Sequence, residues 1–211
     1  MSCLEDEAEL IRRSQQGELD AFNRIVACYQ DQVYNLCLRM LGSQQPAEDA
    51  AQEAFISAFR SVKRVHGGTF RAWLLRIASN ACIDELRRLR RRPQQSIDAP
   101  SGEDDASPAL QIADTGEGPE QAAVRAELRA ALQAGLLELP DDQRLAVVLC
   151  DVQGLSYDEI AVAMACSVGT VKSRISRARM KLRAQLQKRP ELFGELVRHK
   201  DVEIEPEEVG S

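Results

Sequence analysis

Apolar residues recur along this chain at intervals of three and four, the spacing that lines one face of an α-helix. Ala21, Phe22, Ile25, Val26 and Tyr29 begin the series, and Val33, Leu36, Cys37 and Met40 continue it. Residues 42–46, with Gly42 and Pro46, break the pattern. Residues 47–62 predict another helix, with Ala51, Phe55, Ala58, Phe59 and Val62 along one side. His66-Gly67-Gly68 interrupts again, and Thr69 or the preceding glycine can cap the helix predicted over 70–90. Its inward face is Phe70, Trp73, Leu74, Ile77 and Ala81, which assigns Trp73 to packing before stacking on a base.

The helical period returns at residue 120. Val124, Leu128, Leu132 and Leu136 recur every four residues, Leu139-Pro140 closes the helix, and 145–152 predicts the next. Ser156 with Glu159 fits a capping box before a helix at 160–164. After a turn at 166–169, Val171, Ile175, Ala178 and Leu182 trace the inward side of a last helix. No useful strand-type alternation occurs. The expected fold is all-α: two small helical domains joined by a flexible acidic linker, the second containing a helix-turn-helix.

Residues 93–119 carry the linker. Segments such as DAPSGEDDASP and DTGEGP are rich in Pro, Gly, Ser and acid, and offer little apolar area to offset the entropy of ordering. The expected divisions are therefore 1–92, a linker at 93–119, a second domain at 120–190 and an acidic tail at 191–211. The linker acids are compatible with a solvated spacer and equally with a mimic of nucleic-acid charge.

Composition supports helices: hydrophobic residues make up 44% but aromatics only 4%, so Leu, Ala, Ile and Val supply the packing. The net charge of −6 argues superficially against nucleic acid. Its distribution reverses that inference. Residues 60–92 hold ten basic and two acidic side chains, and 168–190 hold eight basic and none acidic. A ligand senses charge within roughly 8–10 Å, so these local cationic blocks outweigh the total.

The six cysteines form no CxxC, and only His66 and His199 could assist them, so neither a metal nor another cofactor is expected. No secretory segment or apolar run of about 18 residues is visible, which predicts a cytoplasmic protein without direct membrane insertion. No nucleophile–base arrangement or nucleotide loop points to an enzyme.

The final helix joins a short turn to a strongly basic surface, the pattern of a recognition helix that enters DNA by its N-terminal part. Thr170, Lys172, Ser173, Arg174 and Arg177 are candidates for groove contacts. Arg174 and Arg177 suit guanine edges, whereas Arg179 and Lys181 suit phosphates.

The whole chain resembles the extracytoplasmic-function sigma factors of the sigma-70 family. The resemblance rests on AEDAAQEAFISAF at 47–59, FRAWLLRIASNACIDELRR at 70–88 and ELPDDQRLAVVL, GLSYDEIA and SVGTVKSRISRAR between 138 and 179. It implies that region 2, about 21–92, binds core RNA polymerase through Asp49, Gln52, Glu53 and Ile56. It also implies −10 promoter contacts at Lys63, Arg64, His66, Arg71, Arg76, Asn80, Asp84, Arg87 and Arg88. The −35 element would then be read by Thr170, Lys172, Ser173, Arg174, Arg177, Arg179 and Lys181. The partners implied are bacterial core RNA polymerase, promoter DNA and an anti-sigma factor. A helix-turn-helix regulator that binds only duplex DNA is the alternative, and it leaves the basic 70–92 helix without a role.

Overall fold

The computed structural model describes residues 7–65, 69–91 and 119–188, and every described regular element is helical. In the N-terminal half, α1 spans Glu7–Gln15, α2 Leu19–Leu41, α3 Gln44–Ser61 and α4 Phe70–Arg91. The C-terminal half contains α5 at Pro119–Leu137, α6 at Asp141–Val147, α7 at Tyr157–Ala163 and α8 at Val168–Leu186. Residues 1–6, 66–68, 92–118 and 189–211 lie outside the described residues, and with them the acidic tail, Cys3, His66-Gly67-Gly68 and all of the predicted linker except Pro119, which begins α5.

Helix α2 is the long central element because its apolar stripe runs unbroken. Ile25, Val33, Leu36, Cys37 and Met40 are all buried, with α1, α3 and α4 packed around them. Gly42 ends the helix in the left-handed conformation (φ 80°) and donates its N–H to the Leu38 carbonyl. Its missing Cβ has a second use: a side-chain carbon there would collide with Leu137 of α5.

Helix α3 starts three residues before the expected position. Pro46 sits inside its first turn, where a backbone N–H has no intrahelical partner, so proline removes nothing. The buried side is also mostly alanine (Ala47, Ala50, Ala51, Ala54 and Ala58), which lets α2 and α4 approach closely. Phe59, expected inside, is 39% exposed and meets the edge of Phe22 with ring centroids 5.0 Å apart. Phe55 is only half-buried.

In α4, Phe70 and Leu74 are buried as expected, but Trp73, Ile77 and Ala81 are half-buried. Leu75, Ala78 and Cys82 complete the interior instead, a rotation of the inward face by one position. Trp73 rests on Phe70, which also meets Tyr29. The Thr69 hydroxyl accepts from the Ala72 N–H, so Thr69 caps this helix.

The C-terminal half departs further from expectation. Leu132 is 37% exposed, because α5 buries Ala131, Leu136 and the adjacent Gly135 face. A Cβ on Gly135 would crowd Leu182 and Gln185 of α8, so glycine permits that helix–helix approach. Helix α6 begins at Asp141, four residues early, with acids in its first turn favourably placed against the helix dipole. The expected continuation, Val148–Val152, is π-helical, with Gln153 donating to the Val148 carbonyl. Sequence periodicity contains no cue for that extra residue in the turn.

Arg144 is buried and holds this half together. Its Nε donates to the Leu136 carbonyl at 2.9 Å, and Nη2 to those of Leu137 and Leu139 at 2.8 and 3.1 Å. The guanidinium thereby supplies donors to the unpaired end of α5. Desolvation lowers its pKa, while nearby Asp141 acts in the opposite sense.

Candidate nucleic-acid interface

The turn before α8 arises from local chemistry. Ala165 adopts a left-handed conformation (φ 49°), and the following Cys166 N–H returns to the Ala161 carbonyl at 3.0 Å. This reverses the chain after α7 one step earlier than the 166–169 turn expected. Ser156 and Glu159 form the expected capping box at the start of α7. Ser167 accepts from the Thr170 N–H at 3.1 Å and starts α8. Helices α7 and α8 thus form the expected helix-turn-helix.

Within α8, Val171, Ile175 and Ala178 are buried and Leu182 is half-buried, as the spacing predicts. Burying that side turns Lys172, Arg177, Arg179 and Lys181 outward. Thr170 and Ser173 lie half-buried near the helix start, where the Ser173 hydroxyl donates to the Thr170 carbonyl. Arg174 differs from its neighbours. Its side chain is 25% exposed and pairs with Asp142 of α6 at 2.9 Å.

Arg179 is also engaged, by a two-point interaction with Asp151 that includes Nε–Oδ2 at 3.0 Å. This hydrogen bond is the main cause lowering the Asp151 pKa, and reciprocally raises that of Arg179. Lys172, Arg177 and Lys181 have no ion pair with another described residue. They present the least encumbered charges on the helix.

The second cationic surface lies on α4. Arg76, Asn80, Asp84 and Arg87 are exposed at spacings of four, four and three, forming one longitudinal stripe. Asp84 pairs with Arg87 at 3.1 Å, and Arg88 with Glu85 at 2.6 Å. Asn80 sits among these charges with an amide able to donate and accept. Lys63 and Arg64 are exposed on a 3-10 turn at Val62–Arg64, while His66 falls outside the described residues.

Gln15 braces that turn by donating to the Val62 and Val65 carbonyls, both at 3.3 Å. Arg71 lies apart from the exposed stripe. It is half-buried, with Nε donating to Gln32 at 3.0 Å and Nη2 to the Gln153 carbonyl. The roles of Gln15, Gln32 and Gln153 were not accessible from apolar spacing, because each acts through a distant backbone or side-chain partner.

Asp49, Gln52, Glu53 and Ile56 occupy a third surface. All four are exposed on α3, opposite its buried alanines, with Ile56 at 38% exposure. This mixed acidic and apolar stripe contrasts with α4 and α8. Among the described residues, no group of three His, Cys, Asp or Glu is placed to hold a metal, and no helix is long and apolar enough to cross a membrane.

These features define a helical DNA-binding protein with two distinct cationic elements. Residues 25–92 match the model of Sigma-70 region 2, and residues 129–182 match that of Sigma-70 region 4. The chain is 42% identical over 178 residues to the ECF RNA polymerase sigma factor SigW of Bacillus subtilis (strain 168), covering 83% of this chain and 94% of that protein. It is also 42% identical over 173 residues to ECF RNA polymerase sigma factor SigE of Mycolicibacterium smegmatis (strain ATCC 700084 / mc(2)155), covering 82% of this chain but only 64% of that relative.

Two solved structures extend the likeness to three dimensions. CnrH, in complex with the cytosolic domain of CnrY, has a TM-score of 0.61 and 26% identity, with 85% of this chain and 96% of that chain covered. The sigma factor RpoE from Bartonella quintana, in complex with the anti-sigma factor NepR, has a TM-score of 0.61 and 26% identity over 80% of this chain and 98% of that chain. The protein belongs to the sigma-70 family of RNA polymerase sigma factors, in its extracytoplasmic-function group. A duplex-only regulator would account for α7 and α8 but not for the region 2 match.

Proposed function

We propose that this chain joins bacterial core RNA polymerase, recognises the −35 and −10 elements of a promoter and promotes strand opening. The observation that carries this reading is the separation of a capped, basic recognition helix from a second cationic helix bearing an exposed asparagine. Helix α8 has the form of a major-groove reader. The α4 stripe, together with Lys63 and Arg64 on the preceding 3-10 turn, suits a separated strand: arginines hold phosphates while Asn80 addresses a base. His66 joins the proposed set through the family resemblance and its sequence position between Arg64 and Arg71.

Opening then requires no nucleotide hydrolysis by this non-catalytic subunit. Preferential binding of the separated strand shifts the promoter equilibrium toward the open form. The proposed divisions are 1–92 for polymerase and −10 binding, 93–119 as linker, 120–190 for −35 binding and 191–211 as tail. Linking two weak sites raises the effective concentration of each for its promoter element. The DNA and polymerase partners place the protein in the cytoplasm. Its likeness to a sigma factor solved with an anti-sigma factor supports a partner of that class here.

The polymerase surface is Asp49, Gln52, Glu53 and Ile56. An Asp49→Ala/Glu53→Ala variant should assemble with core polymerase at least about tenfold more weakly, a loss of ~1.4 kcal/mol. Purified core, wild-type chain and variant provide the direct binding comparison, with promoter-dependent RNA synthesis as its functional readout. Equal polymerase affinity would reject this surface. Failure of the wild type to support initiation at any fragment of a bacterial genome would reject the sigma reading itself.

A further inference from the structure

Helix α8 carries two arginines engaged by acids, and the engagements differ in what they leave free. Asp151 meets Arg179 through Nε and Nη2 together, which takes up the side edge of an exposed guanidinium. Asp142 of α6 approaches Arg174 at Nε, 2.9 Å from Oδ2, while Nη1 donates to the Cys166 sulfur at 3.5 Å. Neither contact uses Nη2, and Nη1 has a second hydrogen. The tip of the Arg174 guanidinium thus keeps donors to offer, the form that matches N7 and O6 of guanine.

Both groups that hold Arg174 are themselves set by the main chain. Asp142 lies in the first turn of α6, where its Oδ1 accepts from the Gln143 N–H at 2.9 Å and Oδ2 faces Arg174. Cys166 is fixed in the turn before α8 by its N–H bond to the Ala161 carbonyl at 3.0 Å. Helix α6 packs on α8, so both anchors are in place before DNA arrives. Arg174 is accordingly half-buried, whereas Lys172 and Arg177 are exposed.

A partly solvated ion pair of this kind adds little stability, and its carboxylate repels the phosphates that α8 must approach. Its benefit is orientation. A long side chain held in advance has less rotamer freedom to lose on binding. We infer that Asp142 is a positioning residue for −35 recognition, which with Cys166 aims the tip of Arg174 at a base edge in the major groove. This inference rests on the proposed −35 reading by α8.

The test compares holoenzymes assembled from core polymerase and the full chain, either wild type or carrying Asp142→Ala, Arg174→Ala or both. The probe is a duplex promoter fragment on which wild-type holoenzyme initiates, with copies bearing each single-base change across its −35 element. Competition binding at fixed salt gives the preference for the original fragment over each copy. Unchanged circular dichroism and cooperative unfolding establish that each variant folds. If Asp142→Ala prevents folding, Asp142→Asn takes its place in the comparison.

Asp142→Ala should lower the preference at the base pair read by Arg174 by at least about threefold. It should do so even though removing a negative charge tightens binding to every duplex. With Arg174→Ala already present, the same substitution should leave the preference unchanged. An Asp142 that acts only through charge or stability would shift all duplexes alike, and that result overturns the positioning role. An equal loss of preference with and without Arg174 overturns it too. If Arg174→Ala alone alters no preference, the error lies in the base-reading assignment of Arg174, and the inference falls with it.

Discussion

Side chains with similar sequence patterns acquire different tasks from their immediate partners. Arg174 and Arg177 both belong to the outward part of α8, yet Arg174 is tied to Asp142 while Arg177 is exposed. Arg177 is consequently the sharper test of base reading. If it contacts a guanine edge bidentately, Arg177→Ala should reduce discrimination at one −35 base pair by ~1–3 kcal/mol. Lys181→Ala should lower affinity more uniformly and reduce its salt slope. Titrations of promoter duplexes with single-base changes, repeated at several salt concentrations, distinguish these outcomes. Equal losses on every sequence would remove the specificity role from Arg177.

Tyr29 supplies a stability test away from DNA. Its ring is buried, and its hydroxyl donates to Glu7. Desolvation chiefly, then that hydrogen bond, raise its pKa above the ordinary value of 10.0. A raised phenol pKa means that folding favours the protonated group. Its contribution is complete below about pH 10 and is lost progressively as pH rises toward the folded-state value. Denaturant unfolding of wild type and Tyr29→Phe should thus show a steeper alkaline loss for wild type. Parallel pH profiles would refute the linkage.

Among the elements, α8 was the most legible because three constraints agree: a capping serine, the buried Val171–Ile175–Ala178 spacing and outward bases. The start of α3 was obscured because Pro46 normally signals a break, although its actual first-turn position makes it harmless. The π segment was illegible for another reason. Its apolar residues fit an ordinary helix equally well, and tertiary packing selects the wider hydrogen-bond spacing. Likewise, the exposed candidates on α4 came from the family resemblance, whereas the Arg71 contacts depend on Gln32 and Gln153, 39 and 82 positions away.

The short connection between α7 and α8 contains a separate energetic compromise. Ala165 carries a side chain in a backbone conformation that ordinarily favours glycine. Ala165→Gly should raise stability by up to ~1 kcal/mol, with relief of steric cost exceeding the added freedom of the unfolded chain. Chemical denaturation checks that sign. A decrease in stability would show that the methyl group contributes more through its surroundings than its backbone conformation costs.

At the scale of the whole molecule, two families of contacts meet at Arg144 without making each half depend wholly on the other. The guanidinium satisfies three carbonyls at the end of α5 and only one, at Met40, across the junction. One side chain therefore both closes the end of α5 and ties it to the end of α2, so a shorter or uncharged residue at this position would withdraw a donor from four carbonyls at once.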